Sequence, residues 1–312
     1  MAEERRTVRA GGRNVTVHRP GKVLFPDDGI TKQDLLDHYR AVAPRMVPQL
    51  RRRPLMMVRY PDGVGEHPVV QKHVPSHFPD WIRRAELPKE GGVVTHVLCD
   101  DTATLLYLAD QACVTPHRWL SKADRPDHPD RLVFDLDPSD GAAFEDVRWA
   151  AVRVRELLEE LGLPVLLMTT GSSGLHVIAL LDRRTPFDDV REFTTAVAAV
   201  LARRHPDRLT TEQRKSRRKG RVYLDVQRNA YAQTAVAPYA VRALPGAPVA
   251  MPLAREELDD PELTARRWTI ATAAERARAD PWSDAPRRGR SVRPARRRLA
   301  EYAADTGRGE AR

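Results

Sequence analysis

The stretch RLVFDLDPSD, residues 131–140, sets two carboxylates, Asp135 and Asp137, one residue apart in an otherwise apolar run. Strand alternation puts both on one face, roughly 6–7 Å apart along the chain. Unpaired charge inside a strand is costly to desolvate, so something must offset it. A third acid, Asp225, stands in YLDVQ. If its strand neighbours the first, three carboxylates converge on one face and repel one another unless cations lie between them. Ligands that are all oxygen suit Mg²⁺ or Mn²⁺ rather than zinc. Two such ions, about 3.5–4 Å apart, clamp the attacking and leaving oxygens of an in-line phosphoryl displacement. A lone D-x-D is more often a turn or a surface strand than a metal site, and the third aspartate reverses that balance.

Other residues could serve the same chemistry. The turn TTGSSGLH can present backbone N–H groups and hydroxyls to phosphate oxygens, with His176 just beyond as a further donor. An ordinary Gly/Ser hairpin is the plain alternative. GSSG does not fit the G-x-S-x-G elbow of serine hydrolases, and it leads into a strand rather than a helix. In RKSRRKGR, residues 214–221, six of eight positions are basic. Lys215 and Arg218 are the candidates there for a triphosphate, while the others face solvent or a nucleic-acid backbone. Arg242 is the one charge in VAPYAVRALPGAPVAMPL, an extended apolar segment, and an anion is its natural partner.

The elements that must position these groups are legible from residue 131 onward. RLVFDLD reads as a strand, AFEDVRWAAVRVRELLEELG as a helix stopped by Gly162, PVLLMTT and LHVIALL as strands on either side of the turn, FDDVREFTTAVAAVLARRH as a second helix, and RVYLDVQ as a last strand. That order, β-α-β-β-α-β, is the split-βαβ or ferredoxin-like unit. Its right-handed crossovers make the first strand central, flanked by the third and the fourth, so Asp225 falls beside Asp135 and Asp137 with His176 on the other neighbour. Upstream, Thr31 can cap a helix whose apolar face is Leu35, Tyr39, Val42 and Met46. The predicted organisation is a flexible terminus over 1–14, an N-terminal α/β subdomain over 15–130, a catalytic palm over 131–260, a C-terminal helix region over 261–285 and a basic mobile tail over 286–312.

The whole chain limits the partners. It has 312 residues, a formal net charge of +9 and two cysteines, Cys99 and Cys113, without metal-ligand spacing. Such a basic balance points to nucleic acid. No apolar run is long enough for a transmembrane helix, and the amino terminus lacks the apolar core of a signal peptide. No membrane partner and a cytoplasmic, nucleoid-associated location are expected.

RLVFDLDP, TTGSSGLH, RVYLDVQRN and VAPYAVRALPGAPV, in that order, resemble the polymerase domain of bacterial ATP-dependent DNA ligase D, within the archaeo-eukaryotic primase superfamily. The likeness runs from about GKVLFPDDGITK to LDDPEL and is similar to the stand-alone form. It implies an α+β primase-polymerase fold, with a ferredoxin- or RRM-like catalytic sheet packed against an N-terminal α/β subdomain. It also implies a nucleotidyltransferase that extends or fills DNA ends in nonhomologous end joining, with a ribonucleotide preference. On this resemblance Asp135, Asp137 and Asp225 bind two Mn²⁺ or Mg²⁺ ions, while Ser172, His176, Lys215, Arg218 and Arg242 hold an incoming NTP or dNTP. Lys22 and Lys32 hold the 5′-phosphate of a downstream DNA strand at ends or gaps, Lys72 and His117 lie near primer or template, and Ku and a separately encoded ligase are partners. Two departures stand out: Val69 and Val70 where some members carry a stacking Phe pair, and Ser173 where some carry a lysine. Two rival readings fit parts of the pattern, a nucleotidyl cyclase-like enzyme and a non-catalytic nucleic-acid-binding subunit. The second would read bases with exposed aromatics on its central strands, where this chain carries carboxylates.

Overall fold

The computed structural model describes residues 4–286 and 288–309. The chain forms two compact units, one built from Met1–Pro126, Thr234–Met251 and Arg266–Asp280, the other from Asp127–Gln233, Pro252–Ala265 and Pro281–Arg312. This departs from the expected division, because the chain crosses between the units five times and the segment bearing Arg242 folds with the first unit. No helix is long and apolar enough to cross a membrane among the described residues.

In the first unit the expected flexible terminus is a hairpin. Strands β1 (Arg5–Ala10) and β2 (Arg13–His18) pair antiparallel. Their alternation buries Val8, Ala10, Val15 and Val17 and leaves the polar residues between them outside. Gly11 takes a φ of +60° in the turn. Residues 1–3 of that expected terminus lie outside the described residues. A short pair, β3 (Val23–Phe25) and β4 (Ile30–Thr31), leads into α1 (Lys32–Leu50). As predicted, Thr31 caps α1: Thr31 Oγ1 accepts from the Asp34 amide at 3.2 Å, and Asp34 accepts from the Thr31 amide at 2.7 Å. Leu35, Tyr39, Val42 and Met46 are all buried.

Strands β5 (Leu55–Arg59) and β6 (Val69–Gln71) follow, then the hairpin of β7 (Arg84–Lys89) and β8 (Gly92–Val97), helix α2 (Thr102–Asp110) and β9 (Cys113–Trp119). A four-stranded sheet runs in the order Thr234–Val236, β9, β5, β6.

The second unit carries the predicted topology. Its strands β10 (Arg131–Asp137), β11 (Val165–Thr169), β12 (Leu175–Leu180), β13 (Leu209–Thr210) and β14 (Val222–Asp225) form a six-stranded sheet with Pro252–Leu253, in the order β13-β14-β10-β12-β11-Pro252–Leu253. The first strand is central between the third and fourth, as the crossover rule requires. The two edge strands were not foreseen; each is two residues long, too short to show a period.

Helices α3 (Phe144–Glu160) and α4 (Phe187–Arg204) pack on this sheet. Alternation along β10 buries Leu132, Phe134 and Leu136 on the face opposite Asp135 and Asp137. Gly162, at φ +84°, ends α3 in a Schellman motif: its amide reaches Glu159 O at 2.8 Å, and the Leu163 amide reaches Leu158 O at 2.9 Å.

The expected mobile tail also takes a defined form. A short helix, α5 (Ala273–Arg278), belongs to the first unit, while α6 (Val292–Gly309) belongs to the second and buries Val292, Ala295 and Leu299. Pro294 does not break α6 because it lies in the first turn, where its missing N–H has no helical acceptor to lose. Of that tail, residues 287 and 310–312 lie outside the described residues.

Candidate active site

The pairing register brings the acids together. On β10, Asp135 lies directly opposite Asp225 of β14 on one side and His176 of β12 on the other, while Asp137 faces Tyr223. Asp135, Asp137 and Asp225 each offer a carboxylate oxygen, all within 4.8 Å of one another. Burial pushes the Asp137 carboxyl up, and the charges of Asp135 and Asp225 push it further, to about 6. Burial also raises Asp135, but His176 and Arg228 override it and hold this carboxyl below its ordinary value. His176 Nε2 lies 3.4 Å from Asp135 Oδ1, and Arg228 Nε lies 3.6 Å from Asp135 Oδ2. Asp225 is oriented by the Gln227 amide at 2.8 Å and the Tyr223 hydroxyl at 3.4 Å.

This donor set fits a divalent cation. It is all carboxylate oxygen, it lies on one sheet face, and its internal repulsion keeps one member reluctant to ionise until positive charge arrives. Two further polar atoms suit an anion. His176 Nδ1 and Arg218 Nη1 are buried without a hydrogen-bond partner, which buried polar groups seldom tolerate in the absence of a ligand or water.

Arg218 is itself buried. Its guanidinium donates to Glu212 O at 3.2 Å and Gln213 O at 2.9 Å, lies 4.2 Å from the Tyr223 ring centroid and lowers the Asp137 carboxyl. Lys215 is exposed, on the 3₁₀ turn Lys215–Arg217.

The Gly/Ser turn is held differently from the simple expectation. Thr170 Oγ1 accepts from the Ser172 amide at 3.3 Å and the Gly174 amide at 3.1 Å. These two N–H groups therefore point inward rather than toward a phosphate. Gly174 is required by space: a Cβ there would stand 2.1 Å from Leu136 O and 3.7 Å from Asp137 Oδ1.

Sequence reasoning missed Thr170, Arg228 and Asn229. The Asn229 amide replaces a strand residue beside β10, accepting from the Val133 amide at 2.8 Å and donating to Val133 O at 2.7 Å. It thereby fixes the 3₁₀ turn Gln227–Asn229 that carries Arg228. A threonine ahead of a Gly/Ser turn is a readable signal, since its hydroxyl can bond to the turn's own backbone. Nothing in QRN announces the contact with Asp135.

The remaining candidates lie in the first unit. A cleft of about 250 Å³ is lined by His18, Arg19, Lys22, Lys32, Arg59 and Asp110 among others. Lys22 donates to Pro61 O and lies 3.6 Å from Asp62. Lys32 is buried; its ammonium donates to His18 O at 2.7 Å and reaches Asp110 at 3.4 Å. Burial lowers its affinity for a proton, and Asp110 opposes that shift. Lys72 is exposed just after β6, and His117 is half-buried on β9. Val69 and Val70 stand on the edge strand at 44% and 58% exposure. Arg242 is half-buried, and its backbone amide bonds to Pro248 O at 2.7 Å.

A palm-like, mostly antiparallel sheet with three convergent carboxylates on its central strands defines a nucleotidyltransferase of the primase-polymerase class. Comparison with known proteins narrows this. The family model of the LigD primase-polymerase domain matches residues 31–282. The multifunctional non-homologous end joining DNA repair protein LigD of Mycobacterium tuberculosis is 34% identical over 262 residues, covering 81% of this chain and 34% of that protein. The LigD protein of Pseudomonas aeruginosa is 31% identical over 280 residues, 88% of this chain and 33% of its own length. The solved polymerase domain of M. tuberculosis ligase D, in complex with DNA, superposes with a TM-score of 0.82 at 32% identity, covering 87% of this chain and 99% of that one. This chain belongs to the LigD primase-polymerase family. It spans about a third of the length of the curated relatives it matches.

Proposed function

We propose that this chain is a primase-like polymerase that adds NTPs or dNTPs to primer 3′ ends at DNA ends and gaps, within nonhomologous end joining. The observation that carries the reading is the approach of three carboxylates, on paired neighbouring strands, to within 4.8 Å of one another. Asp135 and Asp137 would hold two Mn²⁺ or Mg²⁺ ions, with Asp225 sharing one of them. When bound, the ions supply neutralisation of phosphate charge and activation of the primer hydroxyl. The chain's own groups do the rest by position. His176, fixed against Asp135, keeps a buried Nδ1 for the incoming phosphates, and Arg218 offers Nη1 near Asp137. Ser172 and Lys215 would flank them. Alignment and electrostatics, with no side-chain base, would supply most of the acceleration.

In the first unit, Lys22 and its cleft would receive the 5′-phosphate of a downstream strand, while Lys72 and His117 would lie along primer or template. Lys32 already has two acceptors, so we give it the role of setting the cleft's charge and shape. A ribonucleotide preference, Ku, a separate ligase and a nucleoid location complete the proposal; the first three rest on the family resemblance and the last on the chain's basic charge.

The test is extension of a gapped, 5′-phosphorylated duplex with Mn²⁺. Asp137→Ala should reduce product by about 10³-fold or more, with DNA affinity nearly unchanged. Synthesis at a tenth of the wild-type rate would show that the site is misassigned.

A further inference from the structure

The family match ends at residue 282, and the chain beyond it carries more than half of the molecule's net positive charge. Over residues 286–312 there are nine arginines against three acids, so this stretch holds six of the nine net charges. It is docked on the second unit. The Arg290 amide bonds to Leu180 O at 3.0 Å, and Arg290 O accepts from the Asp182 amide at 3.1 Å, which continues the end of β12. Gly289 lies so close to Leu181 that an added Cβ would fall 2.2 Å from its carbonyl oxygen. α6 then buries Val292, Ala295 and Leu299 and packs on α4.

The arginines of this segment divide into two sets. Arg296 pairs with Glu192 at 2.7 Å and Arg298 donates to Leu161 O at 3.0 Å, so these two pin α6 to the unit. Arg288, Arg290, Arg293 and Arg297 are exposed, and no partner for their side chains occurs among the described residues. Arg293 and Arg297 stand one helical turn apart on α6, where like charges weaken a helix rather than support it. Solubility alone would be better served by acids. Four arginines held on an ordered element, at a cost to that element, suit a polyanion.

We propose that Arg288, Arg290, Arg293 and Arg297 form a phosphate-backbone contact for duplex DNA, contributed by a docked segment outside the family-matched region. A lipid surface is the poorer fit. An interfacial helix needs its apolar face exposed to the bilayer, and here Val292, Ala295 and Leu299 are packed against protein. The choice of DNA as the polyanion rests on the polymerase reading; the existence of the phosphate contact does not.

The test uses the full chain carrying Arg288→Gln, Arg290→Gln, Arg293→Gln and Arg297→Gln together, with binding to a blunt duplex followed by anisotropy across about 50 to 200 mM salt. Each lost phosphate contact removes about 0.9 from the slope of log K against log salt, so the slope should shrink by about 3–4, roughly 100-fold less change in affinity over that range. The matching quadruple lysine variant should keep the wild-type slope, and the glutamine variant should unfold at the wild-type temperature or slightly above it, because these side chains have no partner among the described residues and Arg293 and Arg297 repel each other. At saturating primer-template, the turnover of the glutamine variant should equal that of the wild type. An unchanged slope overturns the proposal. So does an unchanged slope accompanied by lost binding to phosphatidylglycerol vesicles, which would assign the surface to lipid. If the wild-type chain bound duplex with the predicted slope yet extended no primer, the polymerase reading would fail and this one would stand.

Discussion

At the scale of single residues, the candidate metal site is governed by how three negative charges share one sheet face. Asp137 bears most of the strain, with a carboxyl held up at about 6, whereas His176 and Arg228 pull Asp135 the other way. A cation competes with that proton. Mn²⁺ affinity should therefore be nearly constant above about pH 7 and fall by up to tenfold per unit as pH drops below about 6. Without metal the sign reverses for stability. A carboxyl with a raised folded pKa favours the fold when protonated, so its contribution is complete below the ordinary value of 3.8 and is lost as pH rises through about 6. Manganese binding followed by electron paramagnetic resonance or calorimetry checks the first statement. Affinity that stayed flat from about pH 7 to about pH 5 would contradict the origin given for the shift.

At the scale of elements, the turn between β11 and β12 sets where Asp137 sits. Thr170 ties two turn amides inward, and Gly174 lets the turn pass against the Leu136 carbonyl. Gly174→Ala forces a methyl group to within 2.1 Å of that oxygen, so either β10 or the turn must move. The expected result is a loss of about 1–3 kcal/mol in stability, with Mn²⁺ binding weakened at the same time because Asp137 adjoins the displaced carbonyl. A variant with wild-type unfolding temperature and wild-type Mn²⁺ affinity would show that the turn has slack. The helices speak to legibility. Spacing in α3 and α4 and the Thr31 cap of α1 were plain in the sequence because those signals are local. The composition over α6 points instead to a mobile tail: its Arg-rich, Pro-containing sequence hides the stripe of Val292, Ala295 and Leu299, which has meaning only once α4 is beside it.

At the scale of the whole molecule, function depends on groups that distant segments bring together within each unit. The cleft of the first unit draws His18 from the end of β2, Lys22 from the loop after it, Lys32 from α1, Arg59 from β5 and Asp110 from α2. Buried Asp110 accepts from the His18 amide at 2.7 Å and the His18 ring at 3.0 Å, and so holds this wall in place. Lys22, bound among the described residues only to a backbone carbonyl and an exposed Asp62, is the cation best able to turn to a phosphate. Lys22→Ala should remove about 10-fold of any rate advantage conferred by a downstream 5′-phosphate, the worth of one charge-assisted hydrogen bond, while leaving extension of unphosphorylated substrate unchanged. Equal loss on both substrates would count against this cleft as the phosphate receptor.

Alternation and crossover handedness, rules of local geometry and chirality, already dictate the element order of the second unit, the central place of β10 and the meeting of Asp135, Asp137 and Asp225. Tertiary structure alone decided that Arg228 lies against Asp135, that Lys32 is buried on Asp110, that the segment of Arg242 folds with the first unit, and that the basic carboxy terminus is a docked helix. Each of these depends on which surface a residue meets across tens or hundreds of positions in the chain. No period or local propensity encodes such a meeting.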